Sequence, residues 1–457
     1  MTQTSRSGRP RVVIVGAGFG GLSAMRTLGN KAVNVLLVDR NNYHGFWPLL
    51  YQVATGGLDS ASIAYPIRGL IRPYRKNTDF QLANVTGVDY ANKKVLVEVG
   101  DPIPYDFLIM AAGSAQFYFG NDALASKTFS MKDVDEAEQI RNHVLAAFEK
   151  ANHESDPQRR KALMTVAIVG GGPTGVELAG AYAELFNHDF AKDYPNLNIK
   201  DARVVMIEAM DKILLPFSDT DPNKKGPNDL QRSVQSTLEK KGVQILLNKP
   251  VDAVEEGAVK FKDGDTLAAE TVIWAAGVRG ALLADKIDVK LQRGMRVPVN
   301  ENLQLEDHPD VFVIGDMAYL EGFQWGTRVM AYPMVAQVAL QMGIRAANNI
   351  IILASGGSGG GLSKFTYRDK GSMAIVGRGA AIVTASKPIK MKLGHNGLTK
   401  FPAWLMWLAV HVMFLEGWRN RWVSIFNWLW NGFNKDRGAR VLTGTRDVKT
   451  EKMEATS

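Results

Sequence analysis

The stretch RVVIVGAGFGGLSAM, residues 11–25, decides how the rest of the chain is read. A β-branched run at 12–15 meets Gly16, Gly18 and Gly21 in G-x-G-x-x-G spacing, and a helical pattern follows. A second apolar strand, NVLLVDR, then ends in Asp39. Strand, glycine turn, helix, strand and terminal acid in that order form a dinucleotide-binding βαβ unit. Gly16 makes the tight turn, Gly18 lets backbone approach a pyrophosphate, and Gly21 lets helix and strand pack closely. The helix start offers free N–H groups and the positive end of its dipole to phosphate. Asp39 is placed to accept from ribose hydroxyls.

The pattern returns further along. VAIVGGGPTGVELAGA sets Gly170, Gly172 and Gly175 in the same spacing, and ARVVMIEA ends in Glu208. Two more segments match each other, FLIMAAGS at 107–114 and TVIWAAGV at 271–278. Each is a buried strand running into a small-residue turn. The chain therefore reads as α/β, with two Rossmann-like dinucleotide-binding domains of similar plan. Two dinucleotides in one chain point to electron transfer between them. Glu208 is followed by Ala209 and Met210, with no arginine. A 2′-phosphate would face a carboxylate there and find no cation, so NADH is expected rather than NADPH.

A chain of 457 residues can bury two or three cores. The net charge of +8 allows a polyanionic partner, nucleic acid or anionic lipid, and where the charge sits must decide between them. Cysteine is absent. That excludes disulfides, a Cys-ligated iron–sulfur cluster and thiolate catalysis. The start, MTQTSRSGRP, is polar with no apolar run after it long enough for a signal peptide, so a cytoplasmic protein is expected.

A third element orders the two halves. HPDVFVIGDMA is a strand reaching Gly315 and Asp316, and YPMVAQVALQMGIRAANNII is a helical pattern after it. The pair resembles the second flavin motif of the two-dinucleotide-binding-domain flavoproteins, the glutathione-reductase-like superfamily. Within that superfamily, GAGFGG, GGGPTGVELAGAYAEL, VFVIGDMA and above all AYPMVAQVALQ are similar to the type II NADH:quinone oxidoreductases, over about residues 10–435. These are single-subunit, non-proton-pumping respiratory dehydrogenases.

The resemblance implies non-covalent FAD held by Gly16, Gly18, Phe19, Gly20, Gly21, Asp39, Arg40, Ala112, Gly113, Gly315, Asp316 and Ala336. It implies NADH held by Gly170, Gly172, Pro173, Thr174, Gly175, Glu177, Glu208, Ala276 and Gly277. The FAD domain would be discontinuous, residues 10–115 and 295–385, with the NADH domain, 116–294, inserted. Hydride would pass from NADH to FAD, and two electrons from FAD to a membrane quinone, menaquinone or ubiquinone. Glutathione-reductase relatives and sulfide:quinone oxidoreductases use cysteine beside the flavin; without cysteine, electrons must leave FAD directly.

By the same resemblance an Ala-Gln pair, here Ala336 and Gln337, lines the quinone site. Gln337 falls in the first turn of its helix, where an amide can donate to a quinone carbonyl. The loop WPLLYQVATGGLD, with Gln52 and Gly56, would face the flavin and quinone. In YRDKGSMAIVGRGAA, Lys370 would lie at the tunnel mouth and Met373 on its wall. Glu177 would stand near the nicotinamide–flavin contact, either touching the nicotinamide riboside or helping protons to reduced quinone; water is the other proton source. No metal site is expected.

The chain closes on FPAWLMWLAVHVMFLEGWRNRWVSIFNWLW, residues 401–430, which holds most of the nine tryptophans. As a helix its first part, 401–415, reaches about 22 Å, short of the ~30 Å of a bilayer's hydrocarbon core. Trp404, Trp407, His411, Leu415, Trp418, Trp422, Ile425 and Leu429 recur three or four apart, which predicts one helical stripe. Lys387, Lys390, Lys392 and Lys400 precede it, and Lys435, Arg437 and Arg440 follow. Aromatics beside basic residues predict helices at 386–442 that anchor in the plane of an anionic membrane, with a homodimer contact sharing that surface. The polar tail, 443–457, is expected to be disordered. Nothing interleaves the charge with a nucleic-acid-binding motif. The reading is thus a peripheral NADH dehydrogenase on the cytoplasmic face of the inner membrane. A soluble NADH-dependent reductase of an iron–sulfur protein and an NADH-sensing flavoprotein stay open as alternatives.

Overall fold

The computed structural model describes residues 8–219, 226–357, 359–385, 391–434 and 436–443. Lys387, Lys390, Lys435 and the tail from 444 onward lie outside them, as does the side chain of Lys392. The first strand, β1 (Arg11–Val15), leads into α1 (Phe19–Leu28), β2 (Asn34–Asp39), α2 (Leu50–Ala54), β3 (Thr78–Leu82) and β4 (Phe107–Met110). These four strands lie parallel in the order β4-β1-β2-β3. Val12, Val13, Ile14 and Leu37 are fully buried, as strands covered by helices on both faces must be.

A long helix, α3 (Val134–His153), begins the second half. Asp133 caps it by accepting from the Glu136 N–H at 3.0 Å. Then come β5 (Thr165–Val169), α4 (Pro173–Glu184), β6 (Arg203–Ile207), α5 (Asp229–Lys240), β7 (Val243–Leu246) and β8 (Thr271–Trp274). Their parallel sheet runs β7-β6-β5-β8. Strand for strand this repeats the first sheet, the β1–β4 pairing being matched by β5–β8. Helix α4 continues into a π-helical segment, Leu185–Phe190, which accounts for the longer connection to Glu208. Between the halves, Ser114–Gln116 and Val278–Gly280 pair antiparallel.

The chain then returns to the first sheet through β9 (Val311–Val313), which pairs with β4, and α6 (Ala336–Ala354). A meander of β10 (Ser372–Ile375), β11 (Ala381–Ala385) and β12 (Met391–Leu393) follows. Two helices end the described chain, α7 (Gly397–Phe414) and α8 (Trp418–Asn434).

The single stripe expected from Trp404 to Leu429 is not formed. The helix breaks at Leu415–Gly417, where Gly417 takes φ +82° and a side chain would strike the Tyr65 ring. Arg421 donates to the Leu415 carbonyl at 2.8 Å and the Met413 carbonyl at 3.0 Å, closing the end of α7. The expected face also splits. Trp407 (0% exposed), His411 and Leu415 are core residues, whereas Trp418 (73%) and Trp422 (64%) face outward. A second apolar set, Phe401, Leu405 and Met413, covers the outer side of α7. Apolar residues on both faces of one helix explain why periodicity picked out the buried face and counted it as exposed.

The basic flank is corrected as well. Arg437 is buried, within 3.4 Å of Glu184 and 3.7 Å of Asp189, and donates to the Thr55 carbonyl at 3.0 Å. Arg440 pairs with Asp189 at 2.6 Å, Asp193 at 3.0 Å and Asp436 at 2.9 Å. Lys400 donates to the Thr237 hydroxyl at 2.8 Å. Burial by itself would raise the Glu184 carboxyl, but Lys241 and Arg437 hold it below its ordinary value. Arg437 and Arg440 tie the C-terminal segment to the end of α4 and the π-helical turn after it, and Lys400 ties α7 to α5.

Candidate active site

Two matching clamps define the site. The Ala17 N–H donates to Asp39 Oδ2 at 2.6 Å, and the Asn41 N–H to its Oδ1 at 2.7 Å. In the second half the Gly171 N–H donates to Glu208 Oε2 at 2.7 Å, and the Met210 N–H to Oε1 at 2.9 Å. Each acid thus grips the residue after the first glycine and the residue two beyond itself. Gly16 and Gly170 have positive φ and are also crowded by backbone: a methyl at Gly16 would lie 2.3 Å from the Ala111 carbonyl oxygen, and one at Gly170 2.8 Å from the Ala276 nitrogen. Gly18 and Gly172 instead face open space. Neither α1 nor α4 has a side chain capping its start, so the first-turn N–H groups point into those openings. Arg40 is exposed and pairs with Asp133 at 3.6 Å.

The helix bearing the Ala-Gln pair is brought to the first cradle by a close crossing. A methyl at Gly343 of α6 would lie 2.3 Å from the Gly20 carbonyl oxygen of α1, and the Ser23 hydroxyl donates to the Leu340 carbonyl at 2.9 Å. The N-terminus of α6 therefore opens beside that of α1, with Ala336 and Gln337 in its first turn. The Gly315 N–H points at the Met342 sulfur, 3.3 Å away. Asp316 follows; burial raises its carboxyl above the ordinary value, against the Ser114 hydroxyl, Arg296 and Lys132. Ser114, Arg296 and Lys132 were not read from the sequence. Ser114 ends the FLIMAAGS segment, but Lys132 and Arg296 come from distant segments and carry no motif.

Strand β10 joins the remaining candidates. Gln337 Nε2 donates to the Gly371 carbonyl at 3.1 Å, and Glu177 is hydrogen-bonded by the Ile375 backbone. Met373 lies between them on the same strand. Gln337 thus gives a donor hydrogen to its own chain, and its Oε1 is buried with no partner. The amide also keeps its second Nε2 hydrogen, so a donor remains beside this acceptor. Burial raises Glu177 to about 8, so it is mostly protonated at neutral pH. Tyr51, also missed, is buried with its hydroxyl pushed well up by burial and by the Glu177 charge. The Tyr182 hydroxyl donates to the Ala54 carbonyl at 2.8 Å, fixing α2 against α4.

Gln52 is close by but committed: Nε2 donates to the Tyr51 hydroxyl at 2.7 Å, and Oε1 accepts from Trp428 Nε1 at 2.7 Å. Gly56 packs on Ala439 and Arg440. Lys370 is exposed. Phe19 packs edge-on against His44 and Phe46. Gly113 and Gly277 end the two matching strands with positive φ, the first with open space before it. Pro173 and Thr174 form the first turn of α4, and Gly21 and Gly175 are held at their own turns, where a methyl would lie 1.8 Å and 1.9 Å from a carbonyl oxygen.

Two dinucleotide cradles on one discontinuous α/β frame define a flavin- and pyridine-nucleotide-dependent oxidoreductase. The pyridine nucleotide-disulphide oxidoreductase family model matches residues 10–343. The type II NADH:quinone oxidoreductase Ndh of Mycobacterium tuberculosis is 36% identical, over 98% of this chain and 93% of that protein. The type II NADH:quinone oxidoreductase of Staphylococcus haemolyticus is 29% identical, over 81% of this chain and 88% of its own. The chain belongs to the type II NADH:quinone oxidoreductases, and it is an NADH dehydrogenase. The structure of NDH2 from Plasmodium falciparum in complex with NADH has the same fold, with a TM-score of 0.81 at 19% identity, covering 95% of this chain and all of that one.

Proposed function

We propose that the first cradle holds FAD, the second NADH, and that the β10 side receives a membrane quinone. The single observation that carries this is the repeated acid clamp, Asp39 on Ala17 and Glu208 on Gly171. It gives one chain two equivalent seats for an adenosine ribose. The residues fit a bound flavin: Gly18 is open, α1 and α6 both direct N-termini to the same place, and Gln337 Oε1 is buried without a partner. FAD supplies the two-electron chemistry between NADH and quinone. Asp316 orients the ribityl chain. The α6 N-terminus favours negative charge beside it. Glu177, protonated at neutral pH, supplies a proton toward the reduced quinone, and Gln337 Oε1 accepts from the hydroxyl that results.

The outer faces of α7 and α8 suit a lipid surface. Phe401, Leu405, Met413, Trp418, Trp422 and Phe426 are exposed on these two helices, and large apolar side chains left in solvent in such number mark an interaction site. Among the described residues no helix is long and apolar enough to cross a membrane. We therefore read the enzyme as lying on the cytoplasmic face of the membrane without moving protons across it. Arg437 and Arg440 are ion-paired within the protein and so add little to lipid attachment, which we assign to the exposed aromatics.

The test compares NADH oxidation with a short-chain quinone and with ferricyanide. The Gln337→Leu and Glu177→Gln variants should lose quinone turnover while keeping ferricyanide turnover. Equal loss with both acceptors would refute a quinone site on β10. Truncation at Phe401 is unsuitable, because it removes Trp407 from the core.

A further inference from the structure

The two cradles differ at the glycine that follows β4 in one and β8 in the other. Gly113, which ends β4, has nothing within 4 Å of where a side chain would begin. Gly277, its counterpart after β8, is covered: a methyl there would meet the Phe119 ring at 2.8 Å and the Phe117 carbonyl oxygen at 2.8 Å. Phe119 is 65% exposed and sits at φ +55°, a backbone conformation that a bulky side chain adopts only under constraint. The constraint is visible. Gln116 Nε2 donates to the carbonyls of Ala276 and Gly277, and Trp274 Nε1 donates to the Phe117 carbonyl at 3.1 Å. The Phe117–Phe119 loop is thus sewn to the mouth of the second cradle, with Phe117 and Phe119 rings 4.8 Å apart.

Strand order says which half of the nucleotide lies there. Glu208 ends β6 on one side of β5, and Gly277 follows β8 on the other. With adenosine ribose on Glu208 and pyrophosphate over the α4 N-terminus, the nicotinamide half runs toward β8. That end also faces the first domain, through the Ser114–Gln116 and Val278–Gly280 pairing. A resident cofactor needs no cover, whereas a co-substrate that exchanges each turnover gains from one.

We propose that Phe119 is a flap over the nicotinamide half of the NADH site, packed on Gly277 in this structure and stacking on the nicotinamide riboside of bound NADH. This rests on the reading of the second cradle as the NADH site. The residue is a positioning residue; it takes no part in electron or proton transfer.

The test measures NAD⁺ and ADP-ribose binding to the flavin-loaded enzyme by calorimetry. ADP-ribose carries the adenosine and pyrophosphate and lacks the nicotinamide. Phe119→Gly keeps the positive-φ turn and removes the ring; Phe119→Tyr restores a ring. The expected result is roughly tenfold weaker NAD⁺ binding in Phe119→Gly, about 1.4 kcal/mol, with ADP-ribose unchanged and Phe119→Tyr close to wild type. Unchanged NAD⁺ affinity, or equal weakening of both ligands, would overturn the flap. If ADP-ribose fails to compete with NAD⁺ in the wild-type enzyme, the NADH-site reading itself is wrong and the flap falls with it.

Discussion

Trp428 donates its indole N–H to the side-chain carbonyl of Gln52 at 2.7 Å, joining the last helix to α2. Gln52 in turn holds the Tyr51 hydroxyl. The C-terminal helices are therefore part of the active-site frame as well as its outer surface. Trp428→Phe leaves Gln52 Oε1 buried and unpaired, a loss of ~1–3 kcal/mol. Gln52→Leu removes the same bond but also leaves the Tyr51 hydroxyl unpaired, so the double variant should lose less than the sum of the two single losses. A double-mutant cycle read by thermal unfolding checks this; additive losses would refute the coupling.

Asp39 and Glu208 make equivalent backbone clamps, and on the proposed assignment they seat different ligands, so their removal should have different consequences. Asp39→Ala should purify with little flavin, seen as lost absorbance near 450 nm. Glu208→Ala should keep its flavin and raise the KM for NADH by roughly tenfold, about 1.4 kcal/mol.

Glu177 is raised from 4.5 to about 8 by burial. Between those values the folded chain holds a proton that the unfolded chain has lost, so stability falls as pH rises through the window. Quinone reduction that draws on this proton should fall above an apparent pKa near 8. Glu177→Gln should abolish that limb of the profile and flatten the stability change. A limb retained in the variant would assign the proton to another donor.

His411, the polar residue within the apolar run, has its Nδ1 2.7 Å from the Trp407 carbonyl oxygen and stacks on the Trp407 ring at 3.8 Å. Burial lowers it to about 4 from 6.5. Here the unfolded chain binds the proton first on acidification. Stability contributed by neutral His411 should therefore be lost as pH falls from 6.5 toward 4. His411→Phe should remove this dependence, measured as unfolding midpoint against pH.

Replacing Trp418, Trp422 and Phe426 together by serine should abolish sedimentation with lipid vesicles while leaving ferricyanide turnover intact, since all three are exposed. Wild-type binding should change little between low and high salt. A steep salt dependence would return the attachment to basic residues. Light scattering of the detergent-free variant separates lipid attachment from a homodimer on the same face. Trp407→Ala, by contrast, should cost ~3–5 kcal/mol as a core truncation.

Sequence alone determined the two βαβ units, the roles of Gly16 and Gly170 at their turns, and Asp39 and Glu208 at the strand ends. All of these are local: a few consecutive residues carry both the geometry and its reason. The return of β9 to the first sheet was legible because VFVIGDMA is itself a complete local signal. Tertiary structure decided what depends on distant partners. Gln337 spends a donor on Gly371, Arg437 and Arg440 turn inward to Glu184 and Asp189, and Phe119 covers Gly277. The C-terminal helices show the difference most directly. Spacing identifies an apolar face, but when both sides of a helix are apolar only the neighbouring core settles which side is buried, and here it took Trp407 and left Trp418 and Trp422 outside.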